Sequence, residues 1–414
     1  MTSRDRVMDA IKHKTTDKIP FDFGATRSGG ISAIAYNELK KYKHIVEDTL
    51  IYDIQQQLAW PGEWFINEFN VDVLDAGRAF LRQDSDWVKF ELSDGSSGLI
   101  PSYHITSVDE NKNLYLHTKK GTKVGIKPQS SYYFDQMYWP WQDLDGIPEI
   151  IKKEDFEEQL WDVPSSPFHL DIMNSENDRT LFQEGLKKYY QSTDKALLLD
   201  FGIGGFFEVP GYMRGLENWF CDILLDEKGT ERLLDVYVER CLERLAIILN
   251  HAGDYFDVIR LFWDDMGNQE NLQMQPELFK NLFAPRYRIL TDYIHAHSKC
   301  KIMLHSCGSI YKIMGYLIDA GIDIINPIQT SCKDMDPLKL KNEFGKDLSF
   351  WGAGCDTVEV LTKKGPEEIK KHVKERIEIL GKDGGFVFVH THNIQPGVPV
   401  ENVLAMLEAV SEFR

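Results

Sequence analysis

The apolar run Lys301-Ile302-Met303-Leu304 ends on His305-Ser306-Cys307-Gly308. A His and a Cys two apart in extended chain project from the same side of a strand end. Both are ligands for a borderline metal, zinc above all. A second stretch of the same kind is Phe388-Val389-His390-Thr391-His392-Asn393. His390 and His392 alternate and so share a side, unless the strand ends between them and one turns outward. A set made of His305, Cys307 and His392 leaves a fourth coordination position open, the arrangement of a catalytic zinc. His390 and Cys355 compete for the third place; Cys355 follows Gly352-Ala353-Gly354 on a tight turn and ranks below His392. Each of these residues also has a structural explanation. A histidine can satisfy its ring nitrogens in the core, and a free cysteine is often buried as a small hydrophobe.

Other polar residues follow apolar runs in the same way. Asp264 and Asp265 form a carboxylate pair suited to acid–base work or to holding a ligating histidine in one tautomer; for one of the two, a helix cap and solvated loop is the simpler role. Glu208, after Gly204-Gly205-Phe206-Phe207, is a candidate exchangeable fourth ligand or a surface glutamate. Asn326, Gln329, Asn393 and Gln395 suit the polar edge of a cofactor, or cap helices.

Eight β-type runs could carry these residues: Ile19–Gly24, Val71–Asp75, Ala196–Phe201, Val258–Trp263, Lys301–Leu304, Ile322–Ile325, Leu348–Trp351 and Gly385–Val389. Helix patterns lie between them. Pro366 opens one with Ile369, Val373, Ile377 and Leu380 on a face before Gly381, and Pro399 opens the last. Strand–helix alternation means parallel strands with crossover helices, and eight of them predict a (β/α)₈ barrel, whose reactive residues sit at the C-terminal ends of its strands. On that architecture His305, Cys307 and His392 converge across the mouth. Residues 87–134 differ in texture: alternating runs and the turn signal Asp94-Gly95 predict an antiparallel β insertion after the second strand. Repeats and low-complexity segments are absent, so residues 1–414 read as one elaborated domain.

Composition narrows the partners. The chain has 414 residues, 43% hydrophobic and 27% charged, and a formal net charge of -18, which argues against nucleic acid. No apolar run approaches the ~20 residues that span a bilayer. The charged start Met1-Thr2-Ser3-Arg4-Asp5-Arg6 is unlike a signal peptide, and six dispersed cysteines suit a reducing compartment, so a cytoplasmic location is expected.

The run His305-Ser306-Cys307-Gly308, the stretch Leu317 to Pro327 and the stretch Pro396 to Asn402 resemble the uroporphyrinogen decarboxylase superfamily, nearest its corrinoid-dependent methyltransferase branch. The resemblance is specific over Leu198 to Phe413 and loose before it. It implies the barrel fold and a zinc-dependent methyltransferase. The methyl group would move between a small methylated substrate (methyl ether, methanol, methylamine or thiol) and a corrinoid on a partner protein. Homodimers are common in the family. That branch binds zinc through a His-x-Cys pair and a distant Cys; here the distant position carries His392. The family's acidic fourth ligand corresponds best to Glu208. The porphyrin decarboxylases carry an Arg-rich loop after the first strand, where this chain has the single Arg27, and an Asp that Asp75 could match. Decarboxylation is therefore the second reading, and a non-catalytic corrinoid- or small-molecule-binding barrel the third.

Overall fold

Seven short runs form one parallel sheet in chain order: β1 (Val73–Asp75), β2 (Ala196–Asp200), β3 (Val258–Trp263), β4 (Lys301–His305), β5 (Ile324–Asn326), β6 (Ser349–Trp351) and β7 (Phe386–Val387). The computed structural model describes residues 1–201 and 204–414. Helices cross over between strands, among them α2 (Glu208–Arg214) and α3 (Glu227–Ala252) between β2 and β3. The helix at Pro366–Leu380 buries Ile369, Val373, Ile377 and Leu380, the face its spacing predicts.

The sheet curls, and side-chain parity layers its interior. Val73, Leu198, Val258, Met303, Ile324, Trp351 and Val387 meet as one apolar layer. The first helix, α1 (Ser3–Ile11), packs Val7 and Ile11 into the same cluster. Two residues further along the strands the inward positions turn polar: Asp75, Asp200, Arg260, His305 and Asn326. Register fixes the match, with Asp200 beside Arg260 and His305 beside Asn326. His305 is thus lifted by strand alternation into a polar tier above a greasy plug.

The expected first strand is the exception. Among the described residues Ile19–Gly24 contains no strand, only an isolated parallel bridge from Phe21 to Phe388. On that side the Asp22 N–H donates to the Phe388 carbonyl at 2.9 Å, and the Phe388 N–H to the Pro20 carbonyl at 2.8 Å. On the other side the Asp72 N–H donates to the Phe21 carbonyl at 2.7 Å. The return bond from Phe21 N–H goes to the Asp72 carboxylate at 3.0 Å, not to a backbone carbonyl, so no ladder propagates. Three residues nevertheless span the gap between β7 and β1.

Antiparallel strands occupy the chain between β1 and β2. Trp87–Glu91 pairs with Ser97–Pro101, and Ile105–Val108, Leu114–His117, Lys123–Lys127 and Asp135–Gln136 form a separate four-stranded sheet. Where one hairpin unit was expected there are two sheets, because Leu50 and Thr49 hold the first pair against an earlier loop. No helix among the described residues is long and apolar enough to cross a membrane.

Asp72 also accepts from Ser3 Oγ at 2.7 Å, Arg6 at 2.6 Å and Arg414 at 3.0 Å. Asp72 and both arginine side chains are buried. Asp72→Ala removes the carboxylate partner of the buried Arg414, while Arg6 keeps its ion pair with Asp17, and the expected cost is about 3 kcal/mol, measurable by denaturant unfolding. A loss below about 1 kcal/mol would place the gap closure elsewhere.

Candidate metal centre

His305 is the last residue of β4, and the backbone holds the residues after it as firmly as the strand does. The Ser306 N–H donates to the Asn326 carbonyl at 2.8 Å, and the Asp264 N–H to the His305 carbonyl at 2.9 Å. Gly308 then turns with φ +88°, and a Cβ there would lie 2.3 Å from the Gly267 carbonyl carbon. Only two facing glycines let the loops after β3 and β4 cross this closely. The crossing sets Cys307 beside Asp265, whose Oδ1 accepts the Cys307 N–H at 2.7 Å.

The imidazole of His305 has a defined tautomer. Asn326 donates its Nδ2 to the Trp351 carbonyl at 2.8 Å, which leaves Oδ1 as the acceptor facing His305 Nδ1 at 2.8 Å. Nδ1 therefore carries the proton, and Nε2 presents a bare lone pair. Nε2 lies 3.5 Å from Cys307 Sγ and 3.6 Å from Asp265 Oδ1. The His392 ring centroid is 5.9 Å from that of His305. One ligand atom each from His305, Cys307 and His392 falls within 4.8 Å of the other two. This spacing, a mixed N/S donor set and a tautomer-fixing neighbour fit a tetrahedral zinc with one position free.

The competing ligands lie elsewhere. His390 is buried against Phe23 and donates from Nε2 to the Gly30 carbonyl at 2.9 Å. Cys355 is buried with its thiol 3.9 Å from the Asp356 carbonyl.

Carboxylates crowd the group from one side. Burial, then Asp265 and Glu208, pushes the Cys307 thiol well above its usual range. Burial, then Asp265 and Asp264, likewise raises Glu208. Burial lowers both histidines of the group, His392 to about 4, so both imidazoles are neutral at pH 7. Glu208 is oriented by the Tyr212 hydroxyl, one turn along α2, which donates to Oε1 at 2.7 Å.

Three expected site residues are hydrogen-bonded into the framework. Asp264 is fully buried; its oxygens accept the Phe207 and Glu208 N–H groups at 2.8–3.1 Å and the Tyr287 hydroxyl. It ties the start of α2 to the end of β3 and so aims Glu208. Asn326 is buried, and its Oδ1 accepts from Ser28 Oγ as well as from His305. Asn393 is buried too, bonded to Gly30, Arg27 and Gln56. Gln329 and Gln395 remain half-buried, accepting from the Gly308 N–H and the Tyr133 hydroxyl. The sequence reading passed over the Arg260–Asp200 ion pair beneath the histidines. Its signal was legible: a charge inside Val258–Trp263, at the same inward parity as Val258.

A profile of the uroporphyrinogen decarboxylase (URO-D) family matches residues 176–413, and the chain belongs to that family. A methylated-thiol–coenzyme M methyltransferase of Methanosarcina mazei is 22% identical over 213 residues, covering 50% of this chain. The chain spans about half (51%) of the length of that relative. A solved structure of a methyltransferase from Methanosarcina mazei superposes with a TM-score of 0.58 at 16% identity, over 100% of this chain and 99% of the other, which establishes a shared fold.

Asn326→Ala removes the acceptor that fixes His305. Zinc affinity is expected to fall about 10- to 100-fold, read by competition with a chromophoric chelator. Unchanged affinity in a variant that still folds would mean that Asn326 does not set the tautomer.

Proposed function

We propose that this protein is a zinc-dependent methyltransferase that moves a methyl group between a small methylated substrate and a corrinoid carried by a partner protein. One observation carries the reading: His305 Nε2, Cys307 Sγ and a His392 ring nitrogen gather at the strand ends of a chain belonging to this family. The methyltransferase name of the relative supports methyl transfer as the reaction class. In this reading the curled sheet is a (β/α)₈ barrel in a single domain, with residues 87–134 inserted beside its mouth.

Each residue has a defined task. Asn326 keeps the His305 Nε2 lone pair directed at the metal position. Asp265 fixes the Cys307 backbone, and its carboxylate stands next to the ligands. Glu208, held by Tyr212 and by the Asp264 anchor, is the acidic group able to enter or leave the fourth position. Gln329 and Gln395, at the half-buried edge, contact the incoming molecule. Bound zinc supplies a Lewis acid that polarises the heteroatom of a methyl donor or lowers the pKa of an acceptor thiol. The two-nitrogen, one-sulfur donor set quenches less of that acidity than two thiolates would, which suits an ether or hydroxyl oxygen.

Protein purified without chelators is expected to hold about one zinc per chain by elemental analysis, lost in His305→Ala and Cys307→Ala. Stoichiometric absence of zinc overturns the reading. The proton balance gives a second check. With both imidazoles neutral and the Cys307 thiol protonated, zinc entry releases at least one proton at pH 7, so affinity rises with pH by about tenfold per unit or more. Calorimetry in two buffers of different ionisation enthalpy counts the protons released as zinc enters the wild-type protein. No proton release would exclude the thiol as a ligand.

A further inference from the structure

Apart from the metal group, a cavity of about 450 Å³ opens between the Lys153–Asn174 stretch, the turn at Thr118–Lys120 and α3. Three guanidiniums border it: Arg27, Arg240 and Arg244. Arg240 pairs with Asp162 at 3.1 Å. Arg244, one helical turn along, has no ion-pair or hydrogen-bond partner among the described residues, and its Nε is buried. Its guanidinium lies over the rings of Phe168 and Phe201, 4.5 and 5.4 Å from their centroids. Burial and then Arg240 lower its pKa to about 10, which leaves it charged at pH 7.

Arg27 is 8% exposed and is paired with Asp53, 2.8 Å from its Nε, with Asp200 as a second counter-charge. Two of the three rim lysines are matched, Lys153 with Glu243 at 2.5 Å and Lys120 with Glu158 at 3.4 Å, while Lys119 is exposed. Asp162 and Glu157 offset the charge of Arg240, and Arg244 shares Asp162 with it. A half-buried cation without a hydrogen-bond partner is costly, and an anion entering the cavity would remove that cost. Val163, Phe168, Leu170 and Ile172 give the same space an apolar wall.

We propose that this cavity binds a small organic anion, its carboxylate held by Arg244 in the field of Arg27 and its apolar body against Phe168, Leu170 and Ile172. The site is connected to the metal group through the chain itself. Arg27 precedes Ser28, whose hydroxyl donates to Asn326 at 2.8 Å, and Asn326 orients His305.

Calorimetry on the full-length protein tests the site without metal or methyl donor, so its outcome is independent of the metal reading. The probes are sodium benzoate, its neutral isostere benzamide and inorganic phosphate. Benzoate is expected to bind saturably at one site, at least tenfold more tightly than benzamide or phosphate, and Arg244→Met to weaken it at least tenfold. Equal binding of benzoate and benzamide overturns the proposal in the wild-type protein alone, even if the variant does not fold. So does phosphate binding as tightly as benzoate, absence of saturable benzoate heat up to about 10 mM, or unchanged affinity in a folded Arg244→Met protein.

Discussion

A single buried carboxylate decides how the curled sheet meets itself. Asp72 takes the Phe21 N–H that a strand neighbour would otherwise receive, and binds α1 and the last residue, Arg414, with its remaining capacity. Phe21 in turn is bridged to Phe388. Four residues beyond that bridge the chain delivers His392, at the level of His305. Phe21 and Asp72 thus brace one side of the segment that leads to His392, and Cys355 braces the other by accepting the Thr391 N–H at 2.9 Å.

The chemistry of the mouth follows from burial acting on both signs of charge. Imidazoles there are driven neutral and the thiol is driven protonated, while Glu208 and Asp265 raise the thiol further. Such an arrangement repels itself as it stands, and a divalent cation would reverse the balance. Asp264 shows the other use of a buried acid. It binds two backbone N–H groups and a tyrosine hydroxyl and fixes a loop rather than a ligand.

Much of this was legible in the chain. Seven of eight runs became strands with small shifts at their ends, because apolar alternation and helix starts at proline are local signals. The first run failed as a strand because its partner atom is the Asp72 side chain, which no periodicity records. The His-x-Cys pair stood out by residue type, but parity put His390 and His392 on one side and chose neither between them nor against Cys355. The roles of Asn326 and Asn393 were not: an amide side chain looks the same whether it faces a ligand or a backbone carbonyl. Asp264 and Asp265 are adjacent in sequence and differ completely in the fold, since neighbouring residues at a strand end point opposite ways. The half-buried Arg244 was invisible, because a helix arginine usually finds water.

The crossing of Gly267 and Gly308 bears on how this protein could be re-engineered. The two loops meet backbone to backbone at the glycines, and the Asp265 side chain in one grips the Cys307 N–H in the other. They are therefore a single module for transplantation. A graft that replaces one loop for new specificity, and keeps the other, would meet a Cβ where none fits and would displace the cysteine. Loops after β3 and β4 have to be exchanged as a pair.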